Sequence, residues 1–181
     1  MSAGKVIKSF TIKDGRKVIL RTPRWEDLDE LLEYINSLAE ERLDFVFVRK
    51  MTRDEEADWL SKTLAEMEKG NAVDVIAEVD GKIAGNSTVR RERLGRSHVG
   101  MLGIAIRQGY RDMGIGTEMI RVIIEESRRI GLKVLVLHVA STNLRAMSVY
   151  EKAGFKEVGK IPEGIYFNNR YMDDVIMFLN L

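Results

Sequence analysis

The stretch Ile104-Ala105-Ile106-Arg107-Gln108-Gly109-Tyr110-Arg111-Asp112-Met113-Gly114-Ile115-Gly116-Thr117 decides how this sequence is read. An apolar strand ends at Ile106 and a turn with an arginine and two closely spaced glycines follows. A helical pattern then runs from Gly114 to Ile130, closed by Gly131. Gly114 and Gly116 lack Cβ, so a bulky anion can approach their backbone amides. The N–H groups of a helix's first turn are unpaired, and they share with the helix dipole a preference for negative charge. Arg111 adds a cation able to grip a phosphate oxygen. Taken alone, the turn is equally a plain glycine-containing connection. Two other phosphate loops fit less well. One would end Gly-Lys-Ser/Thr, whereas Gly116 is followed by Thr117-Glu118. The other, a dinucleotide fingerprint, would end the next strand on a carboxylate, whereas this strand ends Val139-Ala140-Ser141.

Working outward, Ala72 to Val79, Lys82 to Arg90 and His98 to Ile106 read as a meander of strands, the first two joined by Asp80-Gly81. Val6 to Ile12 and Lys17 to Arg21 flank Asp14-Gly15, another hairpin signal. Thr22-Pro23 opens a helix with Trp25, Leu28, Leu31, Leu32, Ile35 and Leu38 at helical spacing. A looser segment from Ala39 to Lys50 holds the apolar run Phe45 to Val48, and Thr52 to Glu55 is a capping box for a second helix ending near Gly70. Val134 to Val139 is a continuous apolar run, expected to be a fully buried strand. A last helix spans Asn143 to Ala153, and Phe155 to Gly159 and Tyr171 to Phe178 are expected to close the sheet. The order predicts an α+β fold, a mixed and mostly antiparallel sheet flanked by helices, in one domain over residues 1–181.

Composition narrows the chemistry. The 29 Lys and Arg nearly cancel the 28 Asp and Glu, so net charge argues for neither nucleic acid nor an acidic membrane surface. Arg90, Arg91, Arg93 and Arg96 form a basic cluster, read as solvated residues on a hairpin turn. There is no cysteine, which excludes a disulfide framework, a thiolate metal site and a cysteine nucleophile; with two histidines, a metal centre is not expected. Met1 to Phe10 lacks the apolar run of a signal peptide and no window reaches membrane-spanning length, so a cytoplasmic location is expected.

A second motif follows the apolar strand. Asn143 and Tyr150 lie seven residues apart, nearly on one helix face at about 100° per residue, with the small Ala146 between them. Such a face can hold a thioester and a proton donor. Asn143 can also be a simple helix N-cap, and Tyr150 a half-buried aromatic. Together, Arg111-x-x-Gly114-x-Gly116 and Asn143-x-x-Ala146-x-x-x-Tyr150-x-x-x-Gly154-Phe155 resemble the two core motifs of the GNAT N-acetyltransferase superfamily. The resemblance spans about Ala72 to Phe178. It is similar to the branch holding spermidine/spermine and ribosomal-protein alanine acetyltransferases, whose closing strand Tyr171-Met172-Asp173-Asp174-Val175-Ile176-Met177 resembles. One departure is the lack of a proline before the turn, where Gln108-Gly109-Tyr110 stands.

The resemblance implies the GNAT fold with a splayed central strand, and acetyl-CoA as acetyl donor. It places the pyrophosphate on Arg111, Asp112, Met113, Gly114, Ile115, Gly116 and Thr117, the pantetheine arm along Ile104, Ala105 and Ile106, and the thiol end near Asn143, Ala146 and Tyr150. The implied reaction is direct attack of a neutral primary amine on the thioester through a tetrahedral oxyanion, with Tyr150 as general acid. The acceptor is a polyamine, another small-molecule amine or a protein N-terminus. For the base, Glu41 and Glu40 enter by family analogy and His98 as a water-relayed alternative; each is also readable as an ordinary surface or structural residue. The segments Ala39 to Lys50 and Pro162 to Asn169 are expected to wall the acceptor site, with Glu40, Glu41, Asp44 and Glu163 giving acidity that Arg42, Arg49 and Lys50 offset. Apolar residues on the closing strand suit a homodimer. The alternative function is a non-catalytic acyl-CoA sensor that binds without turnover.

Overall fold

A computed structural model describes residues 1–41 and 49–181 of the chain. The Asp14-Gly15 signal gives the expected hairpin: β1 (Val6–Thr11) pairs antiparallel with β2 (Lys17–Arg21), and Gly15 takes φ +89° in the turn. A short 3-10 turn, Trp25–Asp27, precedes α1 (Leu28–Glu41). Its entry is fixed by buried Arg21, whose two terminal nitrogens each donate to Asp27 at 2.7 Å. Leu28, Leu31, Tyr34 and Leu38 form the buried stripe of α1. Trp25 is half exposed, because it sits in the 3-10 turn where the 3.6-residue period does not extend. The capping box is present: Glu55 N–H donates to Thr52 Oγ1 at 3.3 Å and Thr52 N–H to Glu55 Oε2 at 2.9 Å, starting α2 (Arg53–Glu68). The run Phe45 to Val48, with Arg42 and Asp44, lies outside the described residues.

The remaining elements are β3 (Ala72–Val79), β4 (Lys82–Arg91), β5 (Val99–Ile106), α3 (Ile115–Arg129), β6 (Val134–Ala140), α4 (Leu144–Lys152), β7 (Lys156–Phe167) and β8 (Arg170–Asn180). They complete one eight-stranded sheet in the order β1-β2-β3-β4-β5-β6-β8-β7, antiparallel except between β5 and β6. α1 and α2 cover one face through Leu31, Leu38, Leu60, Ile76 and Ile83. The other face holds the larger cluster, where Met119, Ile120 and Ile123 of α3 and Tyr150 of α4 meet Val73, Val75, Leu135 and Leu137. The expected mixed α+β sheet is thus the observed one. Among the described residues, no helix is long and apolar enough to cross a membrane.

Three expectations fail for identifiable reasons. The apolar run of β6 is not buried on both faces: Leu135, Leu137 and Val139 are buried, whereas His138 is exposed, because none of the described helices covers the second face at this end of the sheet. β7 is twelve residues long and includes Pro162 to Phe167, whereas the sequence predicts a strand only over Phe155 to Gly159 and places Pro162 to Asn169 in the acceptor wall. As an edge strand with both faces largely exposed it has no alternation to read, and an edge tolerates Pro162. The hairpin closes through Asn168 and Asn169, both at positive φ, as a tight strand connection requires. Finally, Arg90 and Arg91 are not solvated turn residues. Arg90 donates to Thr63 Oγ1 at 2.7 Å over the Trp59 ring, and Arg91 donates to the carbonyls of Gly70, Ser97 and Ile130. Arg93 and Arg96 do face solvent. The exposed Tyr166 and Tyr171, ring centroids 4.7 Å apart, lie on the β7–β8 hairpin.

Asp74 on β3 is fully buried on the face that α1 and α2 cover. Its Oδ1 accepts from Asn86 Nδ2 at 2.6 Å, while Oδ2 has no hydrogen-bond partner among the described residues. Burial pushes its carboxyl up to about 7, against the pull of Asn86 and Arg90. An unfolded Asp ionises near pH 4, so between about pH 4 and 7 the unfolded chain releases this proton first. Stability from this group therefore falls as pH rises through that window. Asp74→Asn is expected to raise Tm at pH 8 and to leave it nearly unchanged at pH 4. Thermal denaturation at both pH values checks this; an equal shift at both contradicts it.

Candidate active site

The site begins where the one parallel pair among the described strands comes apart. β5 and β6 share three rows, Val99↔Val134, Gly100↔Leu135 and Met101↔Val136, although β5 continues to Ile106 and β6 to Ala140. Arg107 N–H donates to Ala84 C=O at 2.8 Å on the β4 side. Because peptide groups alternate along a strand, those of Ile104 and Ile106 face the widening gap. Ile104 and Ile106 pack on the α3 side of the sheet, and Ala105 on the α1 side. Tyr34 of α1, which the sequence reading passed over, enters the β4–β5 ladder at this level. Its hydroxyl donates to Ala105 C=O at 2.8 Å and accepts from Asn86 N–H at 3.1 Å, bridging the two strands. Burial raises the phenol's pKa, so it remains a donor.

At the open end of the gap the chain turns into α3. Gly114 is the helix N-cap at φ +83°, ψ −6°, with no capping side chain, so the first-turn amides of Ile115, Gly116 and Thr117 have no side-chain cap. A Cβ at Gly114 would meet nothing within 4 Å, and one at Gly116 only Ile106 Cγ1 at 3.7 Å. The cradle is therefore open, and at Gly114 it is the backbone conformation, not space, that calls for glycine. Ile115 is the buried anchor of the turn. Met113 is braced by Arg16, whose guanidinium donates to its sulfur at 3.5 Å and lies 5.1 Å from the Tyr110 ring centroid. Exposed Asp112 pairs with Arg145 in the first turn of α4.

Arg111 does not point into this cradle. Its Nε donates to Ile106 C=O at 2.7 Å and a terminal nitrogen pairs with Glu41, whose other oxygen accepts from Gln108 N–H at 2.8 Å. Arg111 and Glu41 together clamp the turn onto the end of α1. Glu41, with 7% of its side chain exposed, is thereby committed to that clamp and not free as a base. Glu40 faces solvent and pairs with Lys50 at 2.7 Å, which holds its carboxyl below the ordinary range. His98 is not brought to the site. It precedes β5 at the paired end, its carbonyl accepting from Lys133 N–H, and the eight residues of β5 separate it from the gap's mouth by roughly 25 Å. Ser37, Glu40, Glu41, Arg107 and Gln108 line a cavity of about 280 Å³ between α1 and the turn.

On α4, Asn143 is the helix N-cap, its Oδ1 accepting from Ala146 N–H at 3.2 Å. Ala146 is half-buried against the α3-side core. Tyr150 is buried edge-on to Phe155, ring centroids 5.9 Å apart, and burial pushes its phenol up to about 12. It stays protonated through neutral pH and can donate. An uncapped helix N-terminus beside a strand gap fits a ligand with an anionic head and a hydrogen-bonding arm, the shape of a coenzyme A ester.

Comparison with known proteins supports the same reading. The model of the acetyltransferase (GNAT) family matches residues 31–155. The chain is 27% identical over 159 residues to an N-alpha-acetyltransferase of Sulfurisphaera tokodaii, covering 81% of this chain and 84% of that protein. It is 28% identical over 104 residues to a probable N-acetyltransferase camello of Xenopus tropicalis, covering 55% of this chain but only 48% of that relative. A crystal structure of a GNAT-family acetyltransferase from Streptococcus pneumoniae superposes with a TM-score of 0.83 at 26% identity, over 91% of this chain and 99% of that one. With the split β5–β6 ladder and the uncapped α3 turn lying where the matched segment runs, the chain belongs to the acetyltransferase (GNAT) family.

Proposed function

We propose that the chain is an acetyl-CoA-dependent N-acetyltransferase whose acceptor is a single α-amine, such as a peptide N-terminus. The observation that carries this is the open α3 N-terminus at the mouth of the β5–β6 gap. Acetyl-CoA supplies an activated acyl carbon and a sulfur leaving group. The amides of Ile115, Gly116 and Thr117 would hold its pyrophosphate, and the peptide group of Ile104 with the N–H of Ile106 its pantetheine arm, orienting the thioester. Tyr150 would protonate the departing sulfur. Asn143, as an N-cap, would set the start of α4 and so the position of Tyr150.

The acceptor class follows from how charge is spent. A polyamine needs several free carboxylates, but among the described carboxylates along α1, Glu40 is paired with Lys50, Glu41 with Arg111, and Glu30 and Glu33 with Lys82 and Arg107. An α-amine of pKa about 8 is roughly a tenth neutral at pH 7, whereas an alkylamine near 10.4 is almost wholly charged. The N-alpha-acetyltransferase relative points the same way. Thiol release over a panel of N-terminal peptides, amino acids, aminoglycosides and polyamines tests the proposal. Turnover fastest with peptides supports it; acetyl-CoA binding with no release from any amine overturns it in favour of a sensor.

Glu41→Gln is expected to loosen the clamp on the turn, raising the KM for acetyl-CoA about tenfold through lost charge-assisted hydrogen bonds while kcat changes little. A large fall in kcat with KM unchanged would instead make Glu41 the base.

A further inference from the structure

The face of the gap opposite α3 holds a pair of groups that the sequence reading did not find. His138 on β6 is exposed, and its Nδ1 lies 2.7 Å from Oδ2 of Asp174 on β8. A carboxylate can only accept, so Nδ1 carries a proton, and in the neutral ring Nε2 keeps its lone pair. Asp174 is well placed to hold the ring: 14% of its side chain is exposed, and its Oδ1 is buried with no hydrogen-bond partner among the described residues.

Position follows from the register. The last paired row is Met101↔Val136, so two residues further His138 lies level with Gly103, about 7 Å along the strands and inside the gap. Leu135, Leu137 and Val139 pack on the α3 side, which turns Val136 and His138 to the other face. Leu102 and Ile104 likewise pack toward α3, so Gly103 shares the face of His138. Among the described residues, a Cβ at Gly103 would meet nothing within 4 Å. Across from the imidazole the described residues thus leave open space where a side chain would otherwise stand, and α3 with its anion cradle lies on the far side of the sheet.

We infer that His138 is the catalytic base of the transfer, oriented by Asp174, and that the acceptor amine enters over Gly103 from the face opposite the cofactor turn. This rests on the transferase reading above. Nε2 removes a proton from the acceptor nitrogen, whose lone pair forms the bond to the thioester carbonyl carbon. The carbon–sulfur bond breaks, its electron pair leaves on sulfur, and sulfur takes its proton from the Tyr150 hydroxyl; the proton held on Nε2 then passes to solvent and the Tyr150 phenolate regains one from solvent, so that an amide and a thiol are produced and both side chains return to their starting forms. Asp174 acts through His138 and is a positioning residue.

The test compares the full chain with His138→Ala, His138→Gln and Asp174→Asn, measuring thiol release with a peptide acceptor, acetyl-CoA Kd by calorimetry, and Tm. His138 is exposed, so all three proteins are expected to fold. Expected are a kcat loss of about 100-fold in both His138 variants, partial rescue of His138→Ala by added imidazole, and unchanged acetyl-CoA Kd. Asp174→Asn is expected to lower kcat at least tenfold with both KM values unchanged. An active parent whose His138→Ala variant keeps kcat within threefold, or gains nothing from imidazole, overturns the inference alone. A parent that releases no thiol with any amine overturns the transferase reading, and this inference with it.

Discussion

Tyr150→Phe is expected to lower kcat about 100-fold while the Kd for acetyl-CoA changes less than threefold. The substitution keeps the ring that packs edge-on against Phe155 in the α3-side core, so neither Tm nor the seat of α4 should move appreciably. What is lost is one proton. Burial raises the phenol to about 12, so it is protonated at any pH where the protein would be assayed and cannot itself generate an alkaline limb below that value. General acids contribute roughly 10²–10⁴-fold, and the low end applies because a thiol of pKa about 8.5 already leaves readily as thiolate. Pre-steady-state thiol release, with calorimetric binding of acetyl-CoA, separates the two quantities. An unchanged kcat from pH 6 to 9 would remove Tyr150 from the chemistry and leave it a core aromatic.

What the sequence could show divides by range. Elements whose signals are local were legible: the Asp14-Gly15 hairpin, the Thr52–Glu55 capping box, and the strand–glycine turn–helix at Ile104 to Thr117 all formed where their residues indicated. The split of β5 from β6 was legible only through family resemblance, since nothing in either strand alone says where pairing stops. Side-chain contacts set by distant partners were not legible. Arg111 looked like a phosphate ligand, yet it is spent on Glu41, seventy residues away, and on Ile106 C=O. Tyr34 was masked by its place in an apolar helix stripe, although its hydroxyl reaches Asn86 and Ala105. His138 was hidden inside an apolar run that read as buried on both faces. One signal was available: a lone imidazole two residues from the end of a central strand, with Asp173-Asp174 on the closing strand to pair with it. β7 had no pattern to read because an exposed edge imposes none.

Gly114→Ala is expected to cost both stability and cofactor affinity, and a twin substitution separates the two. Gly114 and Gly131 sit at opposite ends of α3 with nearly the same backbone, φ +83° and +81°, and an added Cβ at either meets nothing within 4 Å. Alanine at each position therefore suffers the same left-handed strain, roughly 1–2 kcal/mol. For a chain of this length that corresponds to a Tm loss of about 2–8 °C. The difference lies in what each end presents. Gly131 closes the helix C-terminus, where its N–H donates to Arg128 C=O at 2.9 Å, whereas Gly114 sets the aim of the uncapped amides of Ile115, Gly116 and Thr117. Hydrogen bonds to a charged group are worth about 1.5–3 kcal/mol each, so losing even one when the turn relaxes weakens acetyl-CoA binding at least tenfold. Gly131→Ala should lose Tm alone and keep its Kd within twofold. Equal Kd values in the two variants, at equal Tm loss, would mean that the α3 N-terminus does not carry the pyrophosphate, and the anion site would have to be sought elsewhere along the gap.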